Sequence, residues 1–234
     1  MADRNKTFVL LRLRLADRPG ALSAVTGRIS AVRGDFVGIE VLERGTGWVV
    51  DELVIELPDP DLIDLLVREV GCEDGVVLED AVRLADAAFD PLTSGFEVAA
   101  VIAGADDVHE LFGSLCTHTL RAIRSSWVCV FDNDARRVLA EAGERPDGQT
   151  ITRVLATSSE APAGAMWMPL PTARASLVLT RAGGPFRARE VQDAAALARI
   201  ADSLHSMIGR ERRLRSVLSH PANGLRPGSP LLDR

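Results

Sequence analysis

The nearest approach to a metal-ligand set in this chain is His109, Cys116 and His118. Ligation needs donors converging at about 2.0–2.3 Å. On a helix, positions 116 and 118 point to different faces, so a core cysteine beside exposed histidines is the better reading. Asp132-Asn133-Asp134 opens like a calcium loop. Arg136 and Arg137, however, hold the next ligand and glycine positions, and Gly143 stands where the closing glutamate belongs, which leaves a turn. Gly45-Thr46-Gly47 lacks the strand–helix setting of a dinucleotide loop. Cys72, Cys116 and Cys129 are odd in number and have no paired spacing, which argues against a disulfide framework. Tyrosine is absent, and no Ser/His/Asp or Cys/His set can be assembled from spacing alone. The expectation is therefore a protein without metal, cofactor or catalytic residues.

One stretch does point to binding chemistry: Leu13-Arg14-Leu15-Ala16-Asp17-Arg18-Pro19-Gly20-Ala21-Leu22. A strand-like run, Phe8 to Leu15, stops at Asp-Arg-Pro-Gly, and an amphipathic helix begins at once. Pro19 fixes φ and has no N–H to leave unpaired, while Gly20 lets a small ligand or another backbone approach closely. Free N–H groups at such a helix start favour a carboxylate. The alternative is a plain connector in which Asp17 only caps the turn.

The elements that would position this stretch follow from periodicity. Leu22, Val25, Ile29 and Val32 recur at helical spacing, and Gly34-Asp35 ends that helix. Phe36 to Leu42 is strand-like, Gly45-Thr46-Gly47 makes a hairpin turn, and Trp48 to Leu57 is the returning strand. Pro58-Asp59-Pro60 punctuates, with Asp59 or Asp61 as a helix N-cap. Leu62, Leu65, Leu66 and Val70 form a second helical stripe ending at Gly71, and Val76 to Leu84 is the last strand. The predicted order is βαββαβ, the split βαβ plan of ferredoxin-like domains.

With its strand, Asp-Arg-Pro-Gly-Ala-Leu, helix and Gly-Asp-Phe in that order, the chain resembles an ACT domain over residues 7 to 84. The resemblance implies a small regulatory module that binds an amino acid between paired copies. It places the ligand near Leu15, Ala16, Asp17, Pro19, Gly20, Ala21 and Leu22, with Gly34 and Asp35 facing it from the partner copy. Serine-binding members carry Asn at the positions of Asp17 and Asp35, and His at that of Leu15. An acidic pair suits an ammonium group and repels a carboxylate.

Alternation puts Leu11, Leu13 and Leu15 on one side of the first strand and Arg12 and Arg14 on the other. The first strand of such a sheet lies between the third and fourth, so these arginines can pair across to Glu52, Glu56 and Glu79. The expected setting is a solvated sheet face, where such pairs contribute only about 0.2–1 kcal/mol each.

Beyond Asp90–Gly95, a linker by composition, Val108, Leu111, Phe112, Leu115, Thr119 and Ala122 mark a helix started by Asp106 or Asp107. Strands are expected at Trp127 to Phe131, Arg137 to Ala142, Ala165 to Pro169 and Ala173 to Thr180, with a short helix over Gly148 to Thr157. A long helix follows from Ala188 to Leu218. This half resembles a reduced GAF domain through Met168-Pro169-Leu170-Pro171, the strand Ala175 to Thr180, and Gly183-Gly184-Pro185-Phe186 before the final helix. That resemblance implies an antiparallel sheet with the first and last helices packed on one face, used for packing and pairing. The predicted fold class is α+β, divided as residues 1–88 (ACT-like), 89–104 (linker), 105–218 (GAF-like) and 219–234 (flexible tail).

The 234 residues carry a net charge of −6, uneven along the chain. Residues 1–90 hold 10 Lys/Arg and 18 Asp/Glu, whereas residues 91–234 hold 17 and 15. Neither half has the basic excess of a nucleic-acid module. No apolar run approaches the ~20 residues of a membrane span, and the polar start resembles no secretory signal, so a cytoplasmic protein is expected. The combined expectation is a non-enzymatic amino-acid sensor acting through ligand-linked homodimerisation. The alternative is a ligand-free dimerisation scaffold that docks a partner enzyme or transcription factor.

Overall fold

The computed structural model describes residues 6–84, 91–156, 164–182 and 184–219. The first unit runs β1 (Thr7–Ala16), α1 (Ala21–Ala31), β2 (Asp35–Gly45), β3 (Trp48–Leu57), α2 (Ile63–Gly71) and β4 (Val76–Leu84). Its antiparallel sheet has the order β2-β3-β1-β4, so the ACT-like βαββαβ unit is present as expected. Alternation decides its core. Val9, Leu11, Leu13 and Leu15 of β1 and Val49, Leu53, Ile55 and Leu57 of β3 share one face, closed by Val25 and Ile29 of α1 and Leu66 and Val70 of α2. Asp59 caps the turn into α2 by accepting from the Asp61 N–H at 3.0 Å. Gly34 must be glycine for packing: a Cβ there would sit 2.8 Å from Ile29 Cγ2 and 3.0 Å from Ile55 Cγ2.

The second unit runs α3 (Pro91–Ala103), α4 (Val108–Ala122), β5 (Trp127–Asp132), β6 (Arg137–Gly143), α5 (Gly148–Ala156), β7 (Ala165–Leu170), β8 (Ala175–Thr180) and α6 (Ala188–Ser219). Its antiparallel sheet has the order β6-β5-β8-β7. One face packs on α3, α4 and α6 through Ile102, Leu111, Leu115, Val128, Leu177, Leu197 and Ala201. A smaller cluster on the other face gathers Trp127, Cys129, Phe131 and Val178 with Val154 of α5. Asp107 caps α4, accepting from the N–H groups of His109 (2.7 Å) and Glu110 (2.9 Å).

The stretch expected as a linker, 89–104, holds a helix instead. Val98 and Ile102, one turn apart on α3, are buried in the second core, and that packing overrides the weak helix preference of Thr93-Ser94-Gly95. The expected tail lies outside the described residues apart from Ser219, which closes α6.

The second face of the first sheet is solvated only in part. It packs against the other unit through a buried run of ion pairs. Arg12 stands opposite Glu52, as alternation predicts, with its Nη2 2.6 Å from Glu52 Oε1 and 2.9 Å from Glu190 Oε1 at the start of α6. Arg124, just past α4, spans Glu52 and Asp80 at 2.8 Å each. Arg181 holds Glu190 at 2.5 Å, and Arg187 holds Glu79 at 2.5 Å and Glu43 at 3.2 Å. The polar stripe is a seam between domains. Arg14, by contrast, is exposed and makes no ion pair among the described residues.

Candidate functional site

The end of β1 and the start of α1 form a short loop tied at both sides. The Ala16 N–H donates to Gly75 O (3.3 Å) and the Asp17 N–H to Gly47 O (3.1 Å), which pins the loop between the β2–β3 hairpin and the α2–β4 turn. Gly20 is the N-cap of α1 in the left-handed region (φ 89°), and no side chain caps the helix. Its first-turn N–H groups therefore keep donor capacity. Leu15 is buried, Ala16, Ala21 and Leu22 are half-buried, and Asp17, Pro19 and Gly20 are exposed. These seven predicted site residues come together on one rim.

Two further residues stand beside this rim, and sequence reasoning missed both. Arg44 Nη1 lies 3.7 Å from Asp17 Oδ2. Asp51 of β3 is 5% exposed, and its Oδ1 is buried with no hydrogen-bond partner among the described residues. Burial pushes the Asp51 carboxyl above its ordinary range; Arg44 pulls it back in part and Asp17 pushes it further up. A buried carboxylate without a donor costs about 1–3 kcal/mol, so this atom is short of a cation or a proton. The signal was legible: Asp51 occupies the same parity as Val49, Leu53, Ile55 and Leu57, where a strand with one buried face carries an apolar residue.

Gly34 and Asp35 lie elsewhere in the protomer. They follow α1, whose 11 residues span about 16 Å at 1.5 Å per residue. One chain thus presents the loop half and the Gly34–Asp35 half at opposite ends of a helix, and a site using both needs two copies. Gly34 is itself buried while Asp35 is exposed. Beside Asp35, the outer strand β2 shows Phe36, Val37, Ile39 and Val41, between 37% and 53% exposed. An outer strand with unpaired backbone groups and apolar side chains is a template for pairing.

The other candidates resolve into structure. Cys116 is buried and donates to Ala140 O at 3.6 Å; burial pushes its thiol up to about 12, far from nucleophilic use. Burial likewise raises Cys129. Among the described residues no group of three or more His, Cys, Asp or Glu could hold a metal. Asp132 Oδ1 accepts from the N–H groups of Asp134 (3.0 Å) and Ala135 (2.8 Å), the turn that its spacing predicts. Among the described residues no helix is long and apolar enough to cross a membrane.

No family model matches the chain, and no curated protein sequence does. In structure it is similar to the ACT domain from GTP pyrophosphokinase of Chlorobium tepidum, at 20% identity over 36% of this chain and 93% of that one (TM-score 0.29). It is also similar to the GAF domain of a protein described as a sensor histidine kinase from Pseudomonas syringae pv. tomato, at 10% identity over 55% and 92% (TM-score 0.38). A protein of unknown function from Galdieria sulphuraria matches at 12% identity over 86% and 95% (TM-score 0.32).

Proposed function

We propose that this chain is a non-enzymatic regulatory protein whose first domain binds an amino acid between two copies, so that ligand and assembly are coupled. The observation that carries this reading is the unpartnered Asp51 Oδ1 behind the Asp17–Arg44 rim. Asp51 and Asp17 supply negative charge for an α-ammonium group, while Arg44 and the uncapped start of α1 supply donors for an α-carboxylate. Zwitterion recognition needs both. Asp35 of a second copy would close the site. A ligand that contacts two copies favours the paired state by its differential affinity. The second domain, with its long α6, serves pairing or docking in this reading, in a cytoplasmic setting.

Thermal unfolding against each of the twenty amino acids tests it, beside Asp51→Asn. A ligand at 100 times its Kd stabilises by about 2.7 kcal/mol. One or two amino acids should raise the midpoint in the parent chain and not in the variant. Gly20 is a poorer probe, because any side chain at φ 89° strains the backbone whatever it does to binding. If no amino acid moves the midpoint, the exposed β2 stripe favours the second reading, a ligand-free dimerisation scaffold.

A further inference from the structure

A cavity of about 440 Å³ lies where the two domains meet, and no residue of the β1–α1 loop is in its described lining. Its size is ordinary for a small-molecule site. Four arginines line it: Arg12 from the first sheet, Arg121 and Arg124 from the end of α4, and Arg181 following β8. Asp80 is the one acid in its lining among the described residues. Glu52 and Glu190 stand behind, already shared among Arg12, Arg124 and Arg181. Among the described residues, the four guanidinium groups thus face three carboxylates.

The arginines that line this space keep spare donor capacity. The Arg121 side chain is exposed and makes no hydrogen bond or ion pair among the described residues. Arg12 uses Nε and Nη2, which leaves Nη1 without a partner among the described residues. Arg124 uses Nη1 and Nη2, which leaves Nε without a partner among the described residues. Ser125 Oγ, also in the lining, is buried without a partner. Arg124 itself sits at φ 49°, in the left-handed position that closes a helix and that glycine fills at least cost. Burial, with Arg12 close by, leaves its cation less stabilised than usual despite Glu52 and Asp80.

We propose that this interdomain cavity binds a small molecule carrying an oxyanion group, a phosphate or a carboxylate, held by Arg121, Arg124 and Ser125. Val82, Leu84 and Leu120 give it an apolar wall for the rest of the ligand. Asp80 is the stand-in for that oxyanion. Its side chain is 38% exposed and it holds Arg124 Nη2 at 2.8 Å. An incoming oxyanion displaces it outward and takes the Arg124 fork together with Arg121. Because the lining comes from both domains, occupancy strengthens their docking.

Calorimetric titration of the full chain with inorganic phosphate, pyrophosphate, a nucleoside triphosphate, succinate and citrate tests the proposal. At least one probe should bind saturably at one site per chain, more weakly as salt rises. Arg121→Gln, an exposed change that the fold tolerates, should weaken binding roughly tenfold or more, the loss of a charge-assisted hydrogen bond. Asp80→Asn should tighten it by removing the competitor. Saturation by the phosphates alone or by the carboxylates alone would support the site and identify its ligand class. No saturable binding of any probe, or binding that neither variant changes, would overturn it. The outcome does not depend on the amino-acid reading, which concerns other residues.

Discussion

At the scale of single residues, Asp51 and Glu190 are two buried carboxylates with opposite consequences. Glu190 is pushed up by burial, but its hydrogen bonds from Arg181 and the charges of Arg12 and Arg181 outweigh that and hold it below the ordinary range. Its stabilising contribution is present above the ordinary glutamate value and is lost as pH falls through the depressed one. Asp51 is raised, so ionising it costs stability as pH rises through its folded-state value, and that cost vanishes below the ordinary aspartate range near ~4. Asp51→Asn, which keeps the shape and removes the buried charge, should therefore stabilise the unliganded protein at neutral pH. Measured by urea unfolding, the advantage should shrink as the buffer is acidified. A destabilised variant at neutral pH would mean that Asp51 already has a cationic partner. Glu190→Gln should instead cost about 3 kcal/mol at neutral pH, because Arg12 and Arg181 are left buried with one counter-charge fewer.

At the scale of elements, β2 is the strand whose role is least settled by its own protomer. Ile39 and Val41 lie opposite Leu53 and Asp51, on the sheet face covered by α1 and α2, yet both remain partly exposed at the outer edge. Ile39→Lys with Val41→Lys should leave the unfolding free energy of the monomer within about 1 kcal/mol of the parent, as surface changes usually do. The same pair should weaken self-association at least tenfold in sedimentation equilibrium, and unchanged association would remove β2 as the pairing edge. Gly34→Ala should destabilise by about 1–3 kcal/mol through overpacking against Ile29 and Ile55, read from the urea midpoint. Element identity was largely legible in the sequence: β3 and β4 carry the boundaries that alternation implies, and α1 follows from its apolar spacing. Helix α3 was not, because Pro91, Thr93, Ser94 and Gly95 have linker chemistry and only the burial of Val98 and Ile102 makes the segment helical.

At the scale of the whole molecule, the seam changes what the first sheet is for. A strand that alternates leucine with arginine looks the same whether its polar face meets water or a second domain, so the register of Arg12 with Glu52 was legible and its burial was not. The same limit hid the oxyanion cavity, whose walls come from residues as far apart in sequence as Arg12 and Arg181. The candidate site was legible on the β1–α1 side, where local residues build it. Its acidic floor was not, because Asp51 reaches the loop from β3 through tertiary structure. β1 joins both regions: Arg12 anchors the seam, and Leu15 to Asp17 form the rim three residues further on.

The claim that amino-acid binding and pairing are one event is tested most directly by sedimentation velocity of the purified chain across a range of protein concentrations, with and without a millimolar mixture of all twenty amino acids. The mixture should lower the dimer dissociation constant severalfold in the parent chain and leave it unchanged in Asp51→Asn. A dissociation constant that ignores the amino acids in both proteins would contradict the coupling and leave an assembly that no such ligand controls.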